Sequence, residues 1–379
     1  MDEIYLDSNA TTPLLPAVWE AMRPYSTDCF GNPASAHSAG RRARQALEDA
    51  RERVAFLLGA NPDEVIFTSG ATEANNLAIF GLAGESHGHL VTTPIEHPSV
   101  AEPIERLEKR GFRISRMPVD STGIVEGESV GELIEPQTRL VSVMLANNET
   151  GAVQPVKHLA SIFQGRIAFH CDGAQAVGRL PVHFHDLGVT ALTLSAHKFH
   201  GPKGIGALLV RRDVKCPPQL WGGHQQQGRR PGTEAVALVV GLWAALDLAE
   251  KERDARMGKI IRLRTQFLRS LRERAAPVVL NGPEVGGVPH TLNLSFPGCR
   301  ADSLLINLDL AGIACSTGSA CSSGSLLPSP VLRAMGVPPE LLHSAMRFSF
   351  HPFLTEEEID EAANRIARVV ARLRETEDE

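Results

Sequence analysis

The sequence lacks several features that would place it in a familiar class of protein. It has no excess of positive charge, since 38 Lys and Arg stand against 44 Asp and Glu and the net charge is -6, which argues against a nucleic-acid-binding surface. No stretch approaches the ~20 apolar residues of a membrane span. Residues 1–5 have neither the basic nor the apolar region of a signal peptide. We therefore expect a cytoplasmic protein that contacts neither membrane nor nucleic acid directly.

The cysteines also exclude common sites. The chain has 6 Cys but no C-x-x-C pair, so neither a zinc ribbon nor a thioredoxin-like redox pair is indicated. Cys315 and Cys321 are six residues apart, which is not a usual spacing for metal ligands. No metal site is predicted, and Cys315 is interpreted as a packed thiol at a strand end.

The middle of the chain alternates between apolar strands and helices. Strands are predicted at 65–68, 89–93, 139–145, 167–170, 191–195 and 206–210, and helices at 72–82, 98–110 and 156–163. This alternation favours an α/β fold with a mostly parallel sheet covered by helices on both faces. Such sheets bind ligands beyond the carboxyl ends of their strands.

The chain is long enough for two domains. A helical region over 233–274, broken near Gly258, separates the alternating part from shorter strands such as 290–296, which alternates like a half-buried strand. Thr355 is placed to cap the last helix. We interpret residues 13–255 as a large cofactor-binding domain, and residues 1–12 with 256–379 as a smaller α+β domain.

Two charged residues follow apolar strands in the large domain. Lys198 comes after the segment 189–194 and before a glycine-rich turn, and Asp172 ends the preceding strand. Pyridoxal 5'-phosphate (PLP) needs such a pair, because the lysine forms a Schiff base with its aldehyde and the acid keeps its pyridine nitrogen protonated. A lone lysine after a strand would be read as a surface residue, but the residues around it favour the cofactor.

Further groups could hold the same ligand. The turn at 69–73 lies between a strand and a helix, where backbone N–H groups bind phosphate. Ser195, His197 and Thr233 could donate to that phosphate, while for each of them a structural role is an equal alternative. His97 follows a strand and could stack on the ring.

The remaining polar candidates suit an amino-acid substrate. Gln175 lies three residues after Asp172, within reach of the same ligand. Arg347 offers a bidentate fork for a carboxylate, and Asn148 could hold either the ring or that carboxylate.

Cys321 lies among small residues in the segment 316–325. This setting is poor for core packing, so Cys321 is either an incidental loop cysteine or a nucleophile that moves between the site and the outside. A free thiol with a pKa near ~8.5 is a minority thiolate at neutral pH, so nearby activation would help it react.

Taken in order, these segments resemble the cysteine desulfurases of the NifS/IscS-like branch, which are fold-type I PLP-dependent enzymes of the class-V aminotransferase family. The matching segments are YLDSNATT at 5–12, FGNPAS at 30–35, TSGATE at 68–73, EH at 96–97, NNE at 147–149, DGAQ at 172–175, SAHK at 195–198, GRRPGT at 228–233, GSAC at 318–321 and RFS at 347–349. Each segment is common alone, but the ordered set is specific.

The resemblance implies a role for each candidate around the cofactor. Lys198 is the Schiff-base lysine, Asp172 pairs with the pyridinium, Gln175 bonds the phenolic oxygen, and His97 covers the ring and carries protons. The phosphate contacts are Ala71, Thr72, Ser195 and His197, with Thr233 reaching the phosphate of a neighbouring subunit. The resemblance therefore implies a homodimer with shared sites.

It also implies the reaction. Asn148, which is also a cofactor contact, and Arg347 hold L-cysteine, which is converted to L-alanine. The sulfur is held as a persulfide on Cys321 and passes to an acceptor protein such as an iron–sulfur scaffold, or to a thiolation pathway. For Cys315, resolving that persulfide is the alternative to a packed thiol. A selenocysteine lyase or a PLP-dependent aminotransferase on the same fold is the alternative, and an inactive scaffold in a sulfur-transfer complex is a further one.

Overall fold

The computed structural model describes residues 3–163, 165–318 and 328–377. Cys321 lies outside the described residues. The strands are β1 (Ile4–Tyr5), β2 (Val65–Thr68), β3 (His89–Thr92), β4 (Arg113–Arg116), β5 (Thr138–Ser142), β6 (Ala168–Asp172), β7 (Ala191–Ser195), β8 (Gly206–Val210), β9 (Val279–Asn281), β10 (Thr291–Ser295), β11 (Ile313–Ala314) and β12 (Ala345–Ser349). The α-helices are α1 (Pro16–Thr27), α2 (Ser38–Leu57), α3 (Ala71–Ala83), α4 (Pro98–Glu108), α5 (Val156–Phe163), α6 (Phe184–Leu187), α7 (Val236–Lys251), α8 (Arg253–Arg274), α9 (Ala301–Leu310), α10 (Pro330–Ala334), α11 (Pro339–Leu342) and α12 (Glu356–Glu377).

The central sheet has seven strands in the order β2-β8-β7-β6-β5-β3-β4. The strands β3 to β7 pair in parallel, while β8 runs antiparallel to both β2 and β7. All residues of β7 and β8 are buried, as expected for strands covered on both faces. The predicted mostly parallel α/β sheet is confirmed. Because β5, β6 and β7 are parallel, the residues that follow them lie at one edge of the sheet.

The edge strand β4 was not predicted. Its sequence, RISR, has exposed arginines at both ends, and in the described part of the chain it pairs with β3 alone. Charged side chains on an edge strand discourage pairing with another chain. Because of the same charges, β4 does not read as an apolar run in the sequence.

A second sheet, with the antiparallel order β12-β10-β9, lies near the end of the chain. A hydrophobic core packs against one face of it and contains Leu6, Phe267, Phe348 and Ile366. The helices α8 and α12 pack together over this core. Strand β1 pairs with β11, so the N-terminal segment joins the same part of the molecule.

The prediction that 290–296 is half-buried is wrong, because every residue of β10 is buried. Its polar face is covered by other polar groups rather than by water. Asn9 Nδ2 donates to Thr291 Oγ1 at 2.8 Å, and Asn281 Nδ2 donates to Asn293 Oδ1 at 2.8 Å. Alternation identified the strand, but it could not show that its polar face would also be enclosed.

The expected helix break near Gly258 is wrong too. The break falls after Lys251, and α8 runs through Gly258. A Cβ at Gly258 would meet nothing within 4 Å, and this half-buried glycine costs only about 1 kcal/mol of helix stability. The predicted cap at Thr355 is present: Glu358 N–H donates to Thr355 Oγ1 at 3.1 Å, and Thr355 N–H donates to the Glu358 carboxylate at 2.7 Å.

Candidate active site

A cavity of about 490 Å³ lies at the carboxyl edge of the central sheet. Most of the predicted site residues line it, namely Ala71, Thr72, His97, Asn148, Asp172, Gln175, Ser195, His197 and Lys198. They come from the ends of different strands and from the start of α3. The parallel topology therefore brings together groups that are far apart in sequence.

The start of α3 forms one end of the cavity. Gly70 precedes the helix with a φ of +154°, and a Cβ on Gly206 would lie 2.8 Å from the Gly70 Cα. Gly206 is therefore needed for β8 to approach this turn, and Gly70 for the positive φ that precedes the helix. The first residues of α3, Ala71 to Glu73, line the cavity, where their N–H groups can bind an anion.

Glu73 lies in the same turn, and no role was predicted for its side chain. Its carboxylate accepts a hydrogen bond from Ser69 N–H at 2.7 Å and forms an ion pair with Arg230 at 2.7 Å. Burial raises the pKa of Glu73, but the hydrogen bonds from Arg230 and Ser69 outweigh burial and hold it below its ordinary value. The pair joins α3 to the segment that ends at Thr233.

Asp172 ends β6 and is buried. One of its carboxylate oxygens accepts from Ala174 N–H at 2.9 Å, and the other accepts from Asn75 Nδ2 at 2.8 Å. Asn75 was missed from the sequence. The available signal was a polar residue at a buried position of α3, beside the apolar Ala74 and Leu77.

His97 is connected to Asp172 through neighbouring polar side chains. Asn75 Nδ2 donates to Ser99 Oγ at 2.8 Å, and Ser99 Oγ lies 2.7 Å from His97 Nδ1. The backbone N–H of Ser99 also donates to His97 Nδ1 at 3.1 Å. Because an N–H group can only donate, the neutral ring carries its proton on Nε2. Burial lowers the pKa of His97, against the opposing effect of Asp172, so the ring is neutral at pH 7.

The N-terminal turn forms another wall of the cavity through Ala10 and Thr11. Lys198 Nζ donates to the carbonyl oxygens of Asn9 and, at 3.1 Å, of Ala10. Gln175 Nε2 donates to the same Asn9 carbonyl at 3.1 Å. The catalytic candidates of the large sheet are therefore positioned by residues from the start of the chain.

His197 closes the cavity beside this turn. Its Nδ1 lies 3.1 Å from Thr11 Oγ1. Burial lowers the pKa of His197 to about 4, helped by the neighbouring Lys198 and Lys203 cations. A neutral His197 can donate one hydrogen bond to an anion in the cavity without adding a charge.

Arg347 does not line the cavity. Its guanidinium is buried, with Nη2 2.7 Å from an Asp7 carboxylate oxygen and Nη1 donating to the Asn148 carbonyl at 3.3 Å. The Asp7 carboxylate therefore lies beside the Arg347 guanidinium, where the carboxylate of a substrate was predicted to bind. Asp7 was not identified as a candidate, because nothing in its local sequence indicates the pair.

Thr233, another candidate, is exposed and does not line the cavity. Cys321 lies outside the described residues. Cys315 packs against the second core, as predicted. Burial raises the pKa of the Cys315 thiol to about 12, which makes it a poor nucleophile.

Across residues 3–163, 165–318 and 328–377, no three His, Cys, Asp or Glu side chains come together as metal ligands would. In that same part of the chain, no helix combines the length and the apolar character that crossing a bilayer requires.

Comparisons with known proteins place these features in a family. The model of the family described as Aminotransferase class-V matches residues 4–362. A cysteine desulfurase IscS from Dictyoglomus turgidum is 44% identical over 376 residues, which cover 98% of this chain and 95% of the relative. A cysteine desulfurase from Mus musculus is 43% identical over 379 residues, covering 98% of this chain and 82% of the relative.

Solved structures agree with this result. A structure described as a NifS-like protein matches with a TM-score of 0.92 and 35% identity, and the match covers 98% of this chain and 100% of the other. The match thus spans both sheets and the cavity at the carboxyl edge of the central sheet. The chain belongs to the class-V aminotransferase family and, within it, to the cysteine desulfurases of the NifS/IscS-like branch.

Proposed function

We propose that this enzyme converts L-cysteine to L-alanine with PLP as cofactor and holds the sulfur as a persulfide on Cys321. The observation that carries the proposal is the meeting of Lys198 and Asp172 in one cavity, together with His97 and Gln175. A surface lysine would not have its amine directed to the same cavity as a buried carboxylate.

The donor set of the cavity fits PLP. The open start of α3, with Ala71 and Thr72, suits the phosphate, as do Ser195 and His197. Asp172 is a buried carboxylate that suits the pyridinium, and Gln175 presents an amide N–H that suits the phenolic oxygen. When bound, PLP withdraws electrons from the substrate α-carbon and so makes its proton acidic.

The chain's own residues would then act on the substrate. The Lys198 amine, once released from the carbonyls of Asn9 and Ala10, is positioned to take the α-proton. His97 stays neutral, so it can border an aromatic ligand without adding a charge beside Lys198. Arg347 and Asn148 would hold the substrate carboxylate after Arg347 exchanges Asp7 for it.

Sulfur transfer requires a thiolate that can reach the substrate sulfur. The Cys321 thiolate attacks that sulfur, the bond between sulfur and the β-carbon breaks, and its electron pair takes up a proton at the β-carbon. L-cysteine and the enzyme thiol thus give L-alanine and the enzyme persulfide. Gly318 and Pro328, which flank the segment containing Cys321, line a cavity of about 600 Å³ that shares His97 and Asn148 with the first.

Further parts of the proposal concern assembly and location. We propose a homodimer in which Thr233 contacts the cofactor phosphate of the partner subunit. Its exposure, and the exposed apolar side chains of Leu220 and Trp221 in the same segment, support this assembly. We also propose a division into domains at residues 255 and 256, because the second core draws on residues 4, 6 and 260–370.

The persulfide would pass to an acceptor protein such as an iron–sulfur scaffold. We propose a cytoplasmic location, because a reducing compartment keeps the Cys321 thiol available for each turnover.

The test is to incubate the purified enzyme with L-cysteine and to measure alanine together with persulfide on Cys321. Cys321→Ala is expected to abolish both, while Cys315→Ala, the matched control, retains both. Alanine formed equally well by Cys321→Ala would contradict the role of Cys321 and favour an aminotransferase or lyase reaction. Comparing kcat/KM for L-cysteine and L-selenocysteine separates the desulfurase from a selenocysteine lyase.

A further inference from the structure

Arg179 is a buried cation that no step of the proposed reaction uses. It lies one turn after Gln175, and it is 6% exposed. Burial lowers the pKa of Arg179 to about 9, so it remains charged at pH 7. A buried charge is costly unless its donors are satisfied, which makes its partners informative.

Within the described residues, the hydrogen-bond partners of Arg179 include no carboxylate. Its fork donates to neutral acceptors from separate parts of the chain, namely Gln175 Oε1 at 2.5 Å, Lys198 O at 2.8 Å, Ser8 O at 3.3 Å, Asn9 Oδ1 at 3.4 Å and His290 Nε2. The guanidinium therefore contacts the N-terminal turn, the backbone of the catalytic lysine and the second sheet at once. Lysine could not satisfy this set, because its donors do not form a planar fork.

The contact with Gln175 decides which way its amide faces. Because Arg179 can only donate, the Gln175 oxygen must point toward it. The amide nitrogen then donates one hydrogen to the Asn9 carbonyl at 3.1 Å, and its second hydrogen is directed to the cavity that Gln175 lines. Without a cation at this point, the amide could turn over and present its oxygen instead.

We propose that Arg179 is a positioning residue that fixes the Gln175 amide with its N–H group toward the cavity, so that the phenolic oxygen of the cofactor meets a donor. This inference rests on the proposed function. A donor at that oxygen stabilises its anionic form over its protonated form. Arg179 therefore acts on the electronic state of the cofactor without touching it.

The test follows the visible absorption of the cofactor-loaded enzyme as a function of pH. Arg179→Met and Gln175→Ala are each expected to raise the pKa of the absorption change by about one unit, the size of one hydrogen bond to a charged oxygen. The double variant is expected to shift no further than Gln175→Ala alone, because both changes remove the same donor. Additive shifts, or an unshifted Arg179→Met, would overturn the proposal.

Other titratable groups face the cavity or lie near it and stay unchanged in every variant. They are Glu73, His97, Asp172, His197, Lys198 and Lys203. Asp7, Glu96, His290 and Arg347 are the nearby charged or titratable groups outside the cavity wall, and they too are kept. A difference in pKa between variants therefore reports on the Gln175 amide.

Two further variants keep the test decisive if Arg179→Met folds poorly. Arg179→Lys keeps the charge but not the fork, so we expect an intermediate shift. Arg374 is the matched control, because its fork also donates to neutral acceptors, the carbonyls of Ala275, Ala276, Pro277 and Pro297. Arg374→Met is expected to lower Tm without moving the absorption pKa, and an equal shift in Arg374→Met would overturn the proposal.

A wild-type enzyme that shows no cofactor absorption after loading would contradict the proposed function instead. The contact itself would then be tested in the cofactor-free protein by thermal unfolding of Arg179→Met, Gln175→Ala and the double variant. Non-additive losses of Tm are expected for two side chains in direct contact, and additive losses would overturn the inference.

Discussion

Asp7 and Arg347 form an ion pair beside the cavity, with Arg347 Nη2 2.7 Å from a carboxylate oxygen of Asp7. The arginine side chain is 4% exposed and that of Asp7 is 18% exposed, so water screens the pair only in part. The fork that suits a substrate carboxylate thus already has a carboxylate partner. Under the proposed function, the substrate has to compete with Asp7 for Arg347.

Asp7→Asn is therefore expected to lower the KM for L-cysteine by roughly fivefold. A fivefold change in KM corresponds to about 1 kcal/mol, the size expected for a partly exposed ion pair. We expect kcat to change by less than about twofold. Steady-state kinetics measure both constants. Asp302→Asn, which removes the partner of the exposed Arg300, serves as the control and should leave KM unchanged. A higher KM in Asp7→Asn would mean that Asp7 orients Arg347 instead of competing for it.

Asn75→Ala is expected to reduce kcat by about tenfold, because it removes the donor shared by Asp172 and Ser99. Without this donor, one carboxylate oxygen of Asp172 and the Ser99 hydroxyl beside His97 each lose a hydrogen bond. Asn76→Ala is the matched control, since among the described residues the Asn76 side chain bonds the backbone of its own helix alone, at Thr72. Alanine formation and Tm are measured for both variants. A fall in Tm without a fall in kcat would assign Asn75 a purely structural role.

Glu96→Gln is expected to stabilise the protein increasingly as pH rises. Burial raises the pKa of Glu96 to about 8, and its Oε2 has no hydrogen-bond partner within the described residues. Between pH 4.5 and 8 the folded state keeps a proton that the unfolded state releases, so wild-type stability falls as pH rises through this range. The cost is roughly 3 kcal/mol at pH 7, and glutamine, which mimics the protonated acid, avoids it.

Thermal or urea unfolding at pH 5 and pH 8 measures this effect. The variant and the wild type should be similar at pH 5 and differ most at pH 8. Glu102→Gln, at an exposed position of α4, should follow the wild type at both values. An equal difference at the two pH values would show that Glu96 is ionised in the folded protein.

Thr233→Ala is expected to weaken cofactor binding by roughly tenfold through the loss of one hydrogen bond to a phosphate. In mixed dimers of Thr233→Ala with Lys198→Ala, one of the two sites would combine a native Lys198 with a native Thr233. Activity at limiting cofactor should therefore rise when the two variants are dissociated and reassociated together. Activity that stays at the mean of the separate variants would argue against shared sites.

The sequence allowed the fold and the centre of the site to be predicted for a physical reason. Strand ends in a parallel sheet face one edge, so apolar runs followed by Asp172 and Lys198 locate a common cavity. Asn75, Asp7 and Arg179 were missed because their partners lie far away in sequence. Arg179, for example, bonds Ser8 and His290, and no local pattern reports such a contact.

The placement of Arg347 shows a second limit. An arginine on a strand near the site was correctly expected to bind a carboxylate. In the structure, that carboxylate belongs to Asp7. Which of two carboxylates an arginine binds depends on relative distances and burial. The distances and the burial are set only when the N-terminal segment packs beside β12 in the folded protein.

The pairing of β1 with β11 also bears on the order in which the protein folds. Ile4 in β1 pairs with Ile313 in β11, which lies far along the chain. Contacts of such high sequence separation close a large loop and form late. Because Asn9 and Ala10 follow β1 closely, we expect their carbonyls to settle against Lys198 late in folding. The cavity would then gain this wall only after the central sheet has formed.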